Sequence, residues 1–459
     1  MRSRGLLTIL ASLFMLVSGC ASAPAPGPRE ALDSFFADLH ARGLFSGAAV
    51  VGDGTRIVWE RGLGFADREA GAAFTPDTPA DGASLAKTFT AALVIALDGE
   101  GKLDLDAPAQ RLLPELPYPE VTLRHLISHS SGIPVLDYDW FDPLLPPGTI
   151  RTSEALLGAL ARQKPPLAFP PGSAYEYSSF GFDLAALAAA RAAGATYGEL
   201  LRDRIFEPLG IASAFLRPAR LADFPAPRTR GYRSAAGTET NEVFDLEAFH
   251  GGSNIYISAR DLHRWNAAFL GKPPISPRAH AAALEPARIG GSRSGLTLGS
   301  WYYASDFSAF WYSGHLQGFH SEVFRDLRAR RSIVYVSNNT LDVWLQKAIV
   351  RAVTAILEGR EPEAVAAPQA AVIRAETRDL AAGEWMLSDG TTLTIEAGMD
   401  RLSAVRDGVP YRMVQVDPRF FYVPGLDLVI GFATGPDRGF ATIFVGSNVA
   451  SLRGTREPR

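Results

Sequence analysis

The stretch DGASLAKTFTAALVIALDGEGKLDLD, residues 81–106, decides how the chain is read. It opens with Ser84 and Lys87 three apart, runs through an apolar segment from Phe89 to Leu97, and is punctuated by Gly99 and Gly101. That pattern predicts a long apolar helix over Ser84–Leu97, stopped by the glycines. Residues three apart on a helix share a face, so hydroxyl and ammonium are brought together. At the helix start, Ser84 also lies in the positive end of the helix dipole. A serine hydroxyl is a weak nucleophile until a base takes its proton. A lysine can be that base when burial or a neighbouring cation lowers its pKa from about 10.4 toward 7. Taken alone, Ser-x-x-Lys also describes a capped helix followed by an exposed lysine. Lysine is scarce here, at positions 87, 102, 164, 272 and 347, and Lys87 alone has a serine three residues before it.

Working outward, SGAAVVGDGTRIVWERGLGFAD (46–67) reads as a hairpin turning at Asp53-Gly54. Phe35–Leu39 belongs to a first helix. Residues 102–240 read as helices and loops punctuated by Pro and Gly. ISARDLHRWNAAFLG (257–271) is an amphipathic helix with Leu262, Trp265 and Phe269 on one face. SAFWYSG (308–314) and RRSIVYVSNN (330–339) read as strands, and Arg325, Arg328, Arg330 and Arg331 as a solvated tip between them. A last helix covers Val343–Leu357. If these late strands pair with the first hairpin, the result is a mixed, antiparallel-dominated sheet flanked by helices. Gly359–Gln369, GREPEAVAAPQ, has linker composition. Beyond it, turn pairs at Asp389-Gly390, Asp407-Gly408, Asp417-Pro418 and Asp437-Arg-Gly439 space out short strands, so 370–459 reads as a small all-β domain, a meander or barrel.

The chain has 459 residues, 47% hydrophobic and 20% charged, with a net charge of −4. That length suits more than one domain, and that charge gives no reason to expect nucleic acid as a partner. The N-terminus reads as a targeting segment over residues 1–20. Arg2 and Arg4 precede an apolar run, Leu6–Val17, too short for a mature membrane span, and Val17-Ser18-Gly19-Cys20 resembles a bacterial lipobox. Cys20 is the sole cysteine, which excludes an intrachain disulfide and suits an acylated residue. Pro24, Pro26 and Pro28 give a stiff tether over 21–29. Ala21 after the cysteine points to the periplasmic face of the outer membrane.

Further pieces follow Ser84 and Lys87 in order. PGSAYEYSSFGFDLAALA (171–188) places Tyr177 in a loop before an apolar helix, where a phenolate held by an ammonium serves as base or proton shuttle. FWYSGHLQGFHSEVF (310–324) supplies a glycine-containing strand able to offer a backbone N–H to an oxyanion. With LRHLISHSSGIP, RIFEPLGIASAF and GGSNIYISARDLHRW, these blocks resemble the serine β-lactamase-like family of class C β-lactamases, D-Ala-D-Ala carboxypeptidases and related esterases, over residues 30–358. The resemblance implies that fold, with an all-helical subdomain beside the sheet. It implies Ser84 as the nucleophile of an acyl-enzyme, Lys87 as its general-base partner and Tyr177 as the tyrosine of the second motif. The backbone N–H groups of Ser84 and His315 would form the oxyanion hole, with Ser179, Tyr312, Ser313 and Gly314 contacting substrate. No cofactor is implied.

Two positions depart from the family pattern. Ser179 stands where Asn is usual, and Tyr312 where a cationic Lys or His is usual. Both losses fall on contacts suited to carboxylate-bearing amides, so esters or small amides and peptides in the bacterial envelope are the expected substrates. A catalytically silent member that binds peptidoglycan peptides or a protein partner is the competing expectation. His125 and His129, four apart, have no third ligand nearby and are not expected to hold a metal. Tyr138 and Trp140 are placed equally well in the pocket wall or in loop packing.

Overall fold

A computed structural model describes residues 27–455, apart from 135, 137, 227, 242–244, 271–274, 305, 317, 367–372, 388–390, 400, 407, 418, 424–425, 427, 435–439 and 447–450. The targeting segment, Cys20 and most of the tether therefore lie outside the described residues, as do the turn residues Asp389, Gly390, Asp407, Asp437 and Gly439.

Strands Gly47–Asp53 and Arg56–Leu63 form the expected hairpin, and Arg331–Ser337 pairs antiparallel along the other edge of the first. The sheet has eight strands. In spatial order they are Pro286–Ile289, Ser292–Thr297, Tyr302–Tyr303, Ala309–Leu316, Phe319–Asp326, Arg331–Ser337, Gly47–Asp53 and Arg56–Leu63. Every adjacent pair is antiparallel, so the sheet is not mixed; the parallel pair Arg151–Thr152 with Glu247–Ala248 lies outside it. Its central strands are apolar on both faces because both faces are covered. Ala48, Val50, Val334 and Val336 join the core beneath the helical layer. Ala49, Val51, Ile333 and Tyr335 join a second core under helices Pro28–Ala41 and Val343–Leu357. This is why GAAVVG and SIVYVS read as continuous apolar runs.

The strand Phe319–Asp326 carries His320, Glu322 and Arg325 and corrects the reading of a solvated basic tip. Arg325 is fully buried: its Nη1 donates to the Asn266 carbonyl and Oδ1 at 3.2 and 3.1 Å, and its guanidinium lies 4.7 Å from the Phe269 ring centroid and 4.8 Å from that of Trp301. Arg328, by contrast, is solvated.

Residues Ala86–Gly99 form the central helix, and every side chain from Ala86 to Leu97 is buried. A helix apolar all round belongs in a core. Phe89 stacks on Trp265 at 4.3 Å, and Trp265 Nε1 donates to Thr88 Oγ1 at 3.0 Å. Burial of each such ring is worth roughly 1.5–3 kcal/mol. Helices Ser153–Gln163, Ser179–Ala193 and Tyr197–Leu201 pack around it.

The C-terminal strands from Gly383–Leu387 to Ser451–Thr455 close into an eight-stranded barrel filled by Trp385, Phe421, Ile430 and Phe432. A short helix, Ala375–Ala381, precedes it and was not expected. The barrel docks on the sheet face opposite the central helix: Tyr422 enters the second core, and its hydroxyl donates to Asp342 Oδ1 at 3.0 Å. The segment before it is pinned as well, since Arg42 Nη2 donates to the Val365 carbonyl at 2.6 Å.

Candidate active site

The turn that carries Ser84 is more strained than a plain helix start. Ala83–Leu85 form a 3-10 turn, and the α-helix begins at Ala86. Ala83 has φ +47°, a left-handed conformation that costs a non-glycine residue about 1–2 kcal/mol. Three contacts hold it. Ala83 N–H donates to Asp81 Oδ1 at 2.7 Å, Gly82 N–H to the Ile255 carbonyl at 2.8 Å, and Ser321 Oγ to the Gly82 carbonyl at 2.6 Å.

Lys87 is fully buried, yet its ammonium has three acceptors: Ser84 Oγ and Ser179 Oγ, each at 3.1 Å, and the Gly252 carbonyl at 2.6 Å. Tyr177 Oη donates to Ser84 Oγ at 2.7 Å. Burial by itself would raise the Tyr177 phenol. The Lys87 charge, with the polar groups of Lys87, Ser84 and Tyr312 close by, outweighs it and holds the phenol below its ordinary value of 10. Once Tyr177 ionises, Ser84 becomes the donor in the same contact, which is the geometry of a general base beside its nucleophile.

Tyr177 is aimed by the SHSSG block. The Ser178 N–H donates to His129 Nδ1 at 3.0 Å, the Glu176 N–H donates to the His129 carbonyl at 2.8 Å, and the imidazole stacks on the Tyr177 ring at 4.5 Å. Burial, then the Lys87 charge, push His129 well below 6.5, so it stays neutral. His125 accepts from the Thr122 N–H within a helix cap, and no cluster able to hold a metal occurs among the described residues.

Gly314 lies directly against the Ser84 turn: a Cβ there would sit 2.4 Å from the Gly82 carbonyl oxygen and 2.9 Å from the Ser84 nitrogen. Only glycine lets the strand Ala309–Leu316 approach the Ser84 amide so closely. That strand pairs with Tyr302–Tyr303 only through Phe310 and Trp311, so its Tyr312–Leu316 edge has no strand partner among the described residues. Ser313 is half-buried on it. The His315 ring turns away from Ser84, to Gln346 Nε2 at 2.5 Å and to His320, and burial pushes it down to about 4. Its side chain therefore does not replace the missing cation of the third motif; its backbone N–H remains the candidate donor.

Tyr312 is buried beside Tyr177, stacked on Tyr302 with ring centroids 5.6 Å apart. Burial, then the neighbouring Tyr177, Tyr302 and Tyr175, raise it well above 10, so it remains a neutral phenol. Tyr175 and Tyr302 meet through their hydroxyls at 3.4 Å, and Trp311 stacks on Tyr302. Trp140 packs on Phe141 at the edge of the main core.

Ser84, Lys87, Tyr177, Ser179, Tyr312 and Gly314 are thus brought together. Sequence reasoning missed the Gly252 carbonyl and Asp183, which accepts the Gly252 N–H at 2.8 Å. The GGSN block was the available signal, but it assigns no role to a carbonyl.

The Beta-lactamase family profile matches residues 32–355. The chain is 25% identical over 456 residues to Penicillin-binding protein 4* of Bacillus subtilis (strain 168), covering 93% of this chain and 98% of the relative. It is 29% identical over 309 residues to Esterase EstB of Burkholderia gladioli, covering 60% and 79%. The octameric penicillin-binding protein homologue from Pyrococcus abyssi superposes with a TM-score of 0.62 at 19% identity, covering 92% of this chain and 99% of that one, a likeness of fold. With the profile spanning most of its length, the chain belongs to the beta-lactamase family of serine hydrolases.

Proposed function

We propose that this protein hydrolyses uncharged esters or small amides through an acyl-enzyme on Ser84. The observation that carries the reading is the hydrogen-bonded set Tyr177–Ser84–Lys87 with a neutral phenol, Tyr312, in the place of a cation. Tyr177 takes the Ser84 proton as Oγ attacks the substrate carbonyl. The oxyanion forms against the Ser84 and His315 amides. Tyr177 then hands the proton to the departing alcohol or amine. Water, deprotonated by the same phenolate, attacks the acyl carbon, and Tyr177 returns that proton to Ser84 Oγ as the acyl–oxygen bond breaks. Lys87 keeps the phenolate stable throughout. Ser179 supports the reading, since its hydroxyl takes up one ammonium bond where Asn is usual.

The competing expectation, a silent pocket that binds a peptidoglycan peptide or a protein, is separated by one experiment. Intact-protein mass after fluorophosphonate treatment should show one adduct on wild type and none on Ser84→Ala. A folded wild type without an adduct would sink the hydrolase reading and leave the binding one. On the same footing, Cys20 is proposed as the lipid anchor to the envelope; radiolabelled palmitate should enter wild type and not Cys20→Ala.

A further inference from the structure

The acceptors of a buried ammonium decide where it sits. Of the three around Lys87, two are hydroxyl oxygens that can rotate, while the Gly252 carbonyl is the nearest, at 2.6 Å, and is fixed by its turn. That turn is clamped onto the Ser179–Ala193 helix. A Cβ on Gly251, whose φ is +129°, would meet the Phe182 carbonyl oxygen at 2.5 Å, and one on Gly252 would meet that of Ser179 at 2.7 Å. The Gly252 N–H is held by Asp183 Oδ1 at 2.8 Å.

Asp183 is an unexpected residue for that task. It is 2% exposed, on the largely apolar helix SFGFDLAALAAARAA, and has no ion-pair partner within 4.0 Å among the described residues. An asparagine would accept the same N–H without the cost of burying a charge. What asparagine lacks is the charge itself, and the charges facing Asp183 are the attractive Lys87 on the central helix and the repulsive Glu247 on Glu247–Ala248; the Tyr197 hydroxyl of Tyr197–Leu201 faces it too.

We propose that Asp183 is a positioning residue for Lys87, its carboxylate fixing the Gly252 carbonyl against the ammonium and its charge drawing the ammonium to its place beside Tyr177. The proposal rests on the reading of Ser84 as an activated nucleophile. Burial, opposed by the Gly252 N–H and Lys87, raises Asp183 to about 7, so its charge changes where the enzyme would work.

Two measurements test it. The first is the rate of fluorophosphonate inactivation from about pH 5 to about pH 9, per folded molecule by near-UV dichroism, for wild type and Asp183→Asn. Asp183→Asn should keep the turn, inactivate about 10-fold more slowly near pH 8, and show an acid limb displaced by about half a pH unit or more. A purely structural Asp183 would lower the folded fraction and leave the profile in place; superimposed profiles overturn the proposal. The second needs neither activity nor that variant to fold. In ¹³C-carboxyl spectra of the full chain, the Asp183 resonance, told from that of Asp81 by Asp81→Asn, should titrate at higher pH in Lys87→Met than in wild type. An unmoved resonance overturns the proposal. Failure of wild type to react at all sinks the hydrolase reading instead, and the carboxyl titration still decides the link between Asp183 and Lys87.

Discussion

Substituting Gly314 by alanine tests the oxyanion strand with a single methyl. The new Cβ would lie 2.4 Å from the Gly82 carbonyl oxygen, 2.7 Å from Ser321 Oγ and 2.9 Å from the Ser84 nitrogen. The first and last are backbone atoms, so no rotamer change relieves them. Restoring an ordinary contact of about 3.4 Å to the Gly82 oxygen moves the strand and the nucleophile turn apart by about 1 Å. Overpacking of this kind costs about 1–3 kcal/mol of stability. The catalytic loss is larger in proportion. A misplacement of about 1 Å costs about 100-fold, and losing one oxyanion donor costs about 100- to 1,000-fold in kcat. Steady-state hydrolysis of a neutral nitrophenyl ester should therefore lose about 100-fold in kcat with KM little changed, while Tm falls by only several degrees. Gly99→Ala, where an added methyl meets nothing within 4 Å, serves as control and should change neither. A folded Gly314→Ala enzyme within about threefold of wild-type kcat would refute the placement of the oxyanion hole on this strand.

Tyr177→Phe should cost about 100- to 10,000-fold in kcat/KM. Because Tyr177 is held below 10, its proposed role as a base when ionised means that wild-type kcat/KM should climb as pH rises toward that value, and that the variant's residual rate should lack this limb; a retained limb would assign it elsewhere. Tyr312→Lys restores a cation at the third motif, and the ratio of kcat/KM for a carboxylate-bearing amide to that for a neutral ester should rise at least about 10-fold; an unchanged ratio would remove Tyr312 from substrate selection. Asp183→Asn should be more stable than wild type at pH 8 and no more stable at pH 4, in urea titrations. The folded Asp183 pKa lies above 3.8, so the folded protein holds the proton more tightly and stability is lost as pH rises from about 4 through about 7, by at most ~4 kcal/mol. An equal difference at both pH values would show that Asp183 does not titrate in this window.

The Ser84–Lys87 contact was legible because the spacing of three is local and lysine is rare in this chain. Tyr177 and the Gly314 strand were legible through motifs with fixed internal spacing. The small all-β domain was legible because Asp-Gly and Asp-Pro pairs punctuate its sequence at intervals, though a meander and a barrel read alike from them. The strand FHSEVFRD was not, since its polar residues are buried against partners from other segments: Ser321 on the Gly82 carbonyl, and Arg325 on Asn266 among aromatic rings. Charge runs read as solvated until the partners are known. The Gly252 carbonyl was invisible because it lies 165 residues from Lys87 and is a backbone atom, which any residue type supplies. The left-handed Ala83 was invisible because alanine is the last residue that composition would place there.

The departures at Ser179 and Tyr312 act on different parts of the chemistry. Ser179 accepts a bond from Lys87, so the contacts proposed for proton transfer at Ser84 are kept. Tyr312 removes a charge, and Lys87 is then the one cation in hydrogen-bond contact with the Ser84 hydroxyl among the described residues. That ammonium is already shared among three oxygens and is fully buried. A substrate carboxylate placed along the Tyr312–Leu316 edge would lose its water and meet the neutral phenols of Tyr312 and Tyr302 instead of a counter-ion. An unpaired buried charge costs several kcal/mol, at least about 1,000-fold in affinity, whereas a neutral ester meets no such penalty there. On the proposed reading, one substitution disfavours carboxylate-bearing amides relative to uncharged acyl groups and leaves the Ser84 contacts to Lys87 and Tyr177 in place.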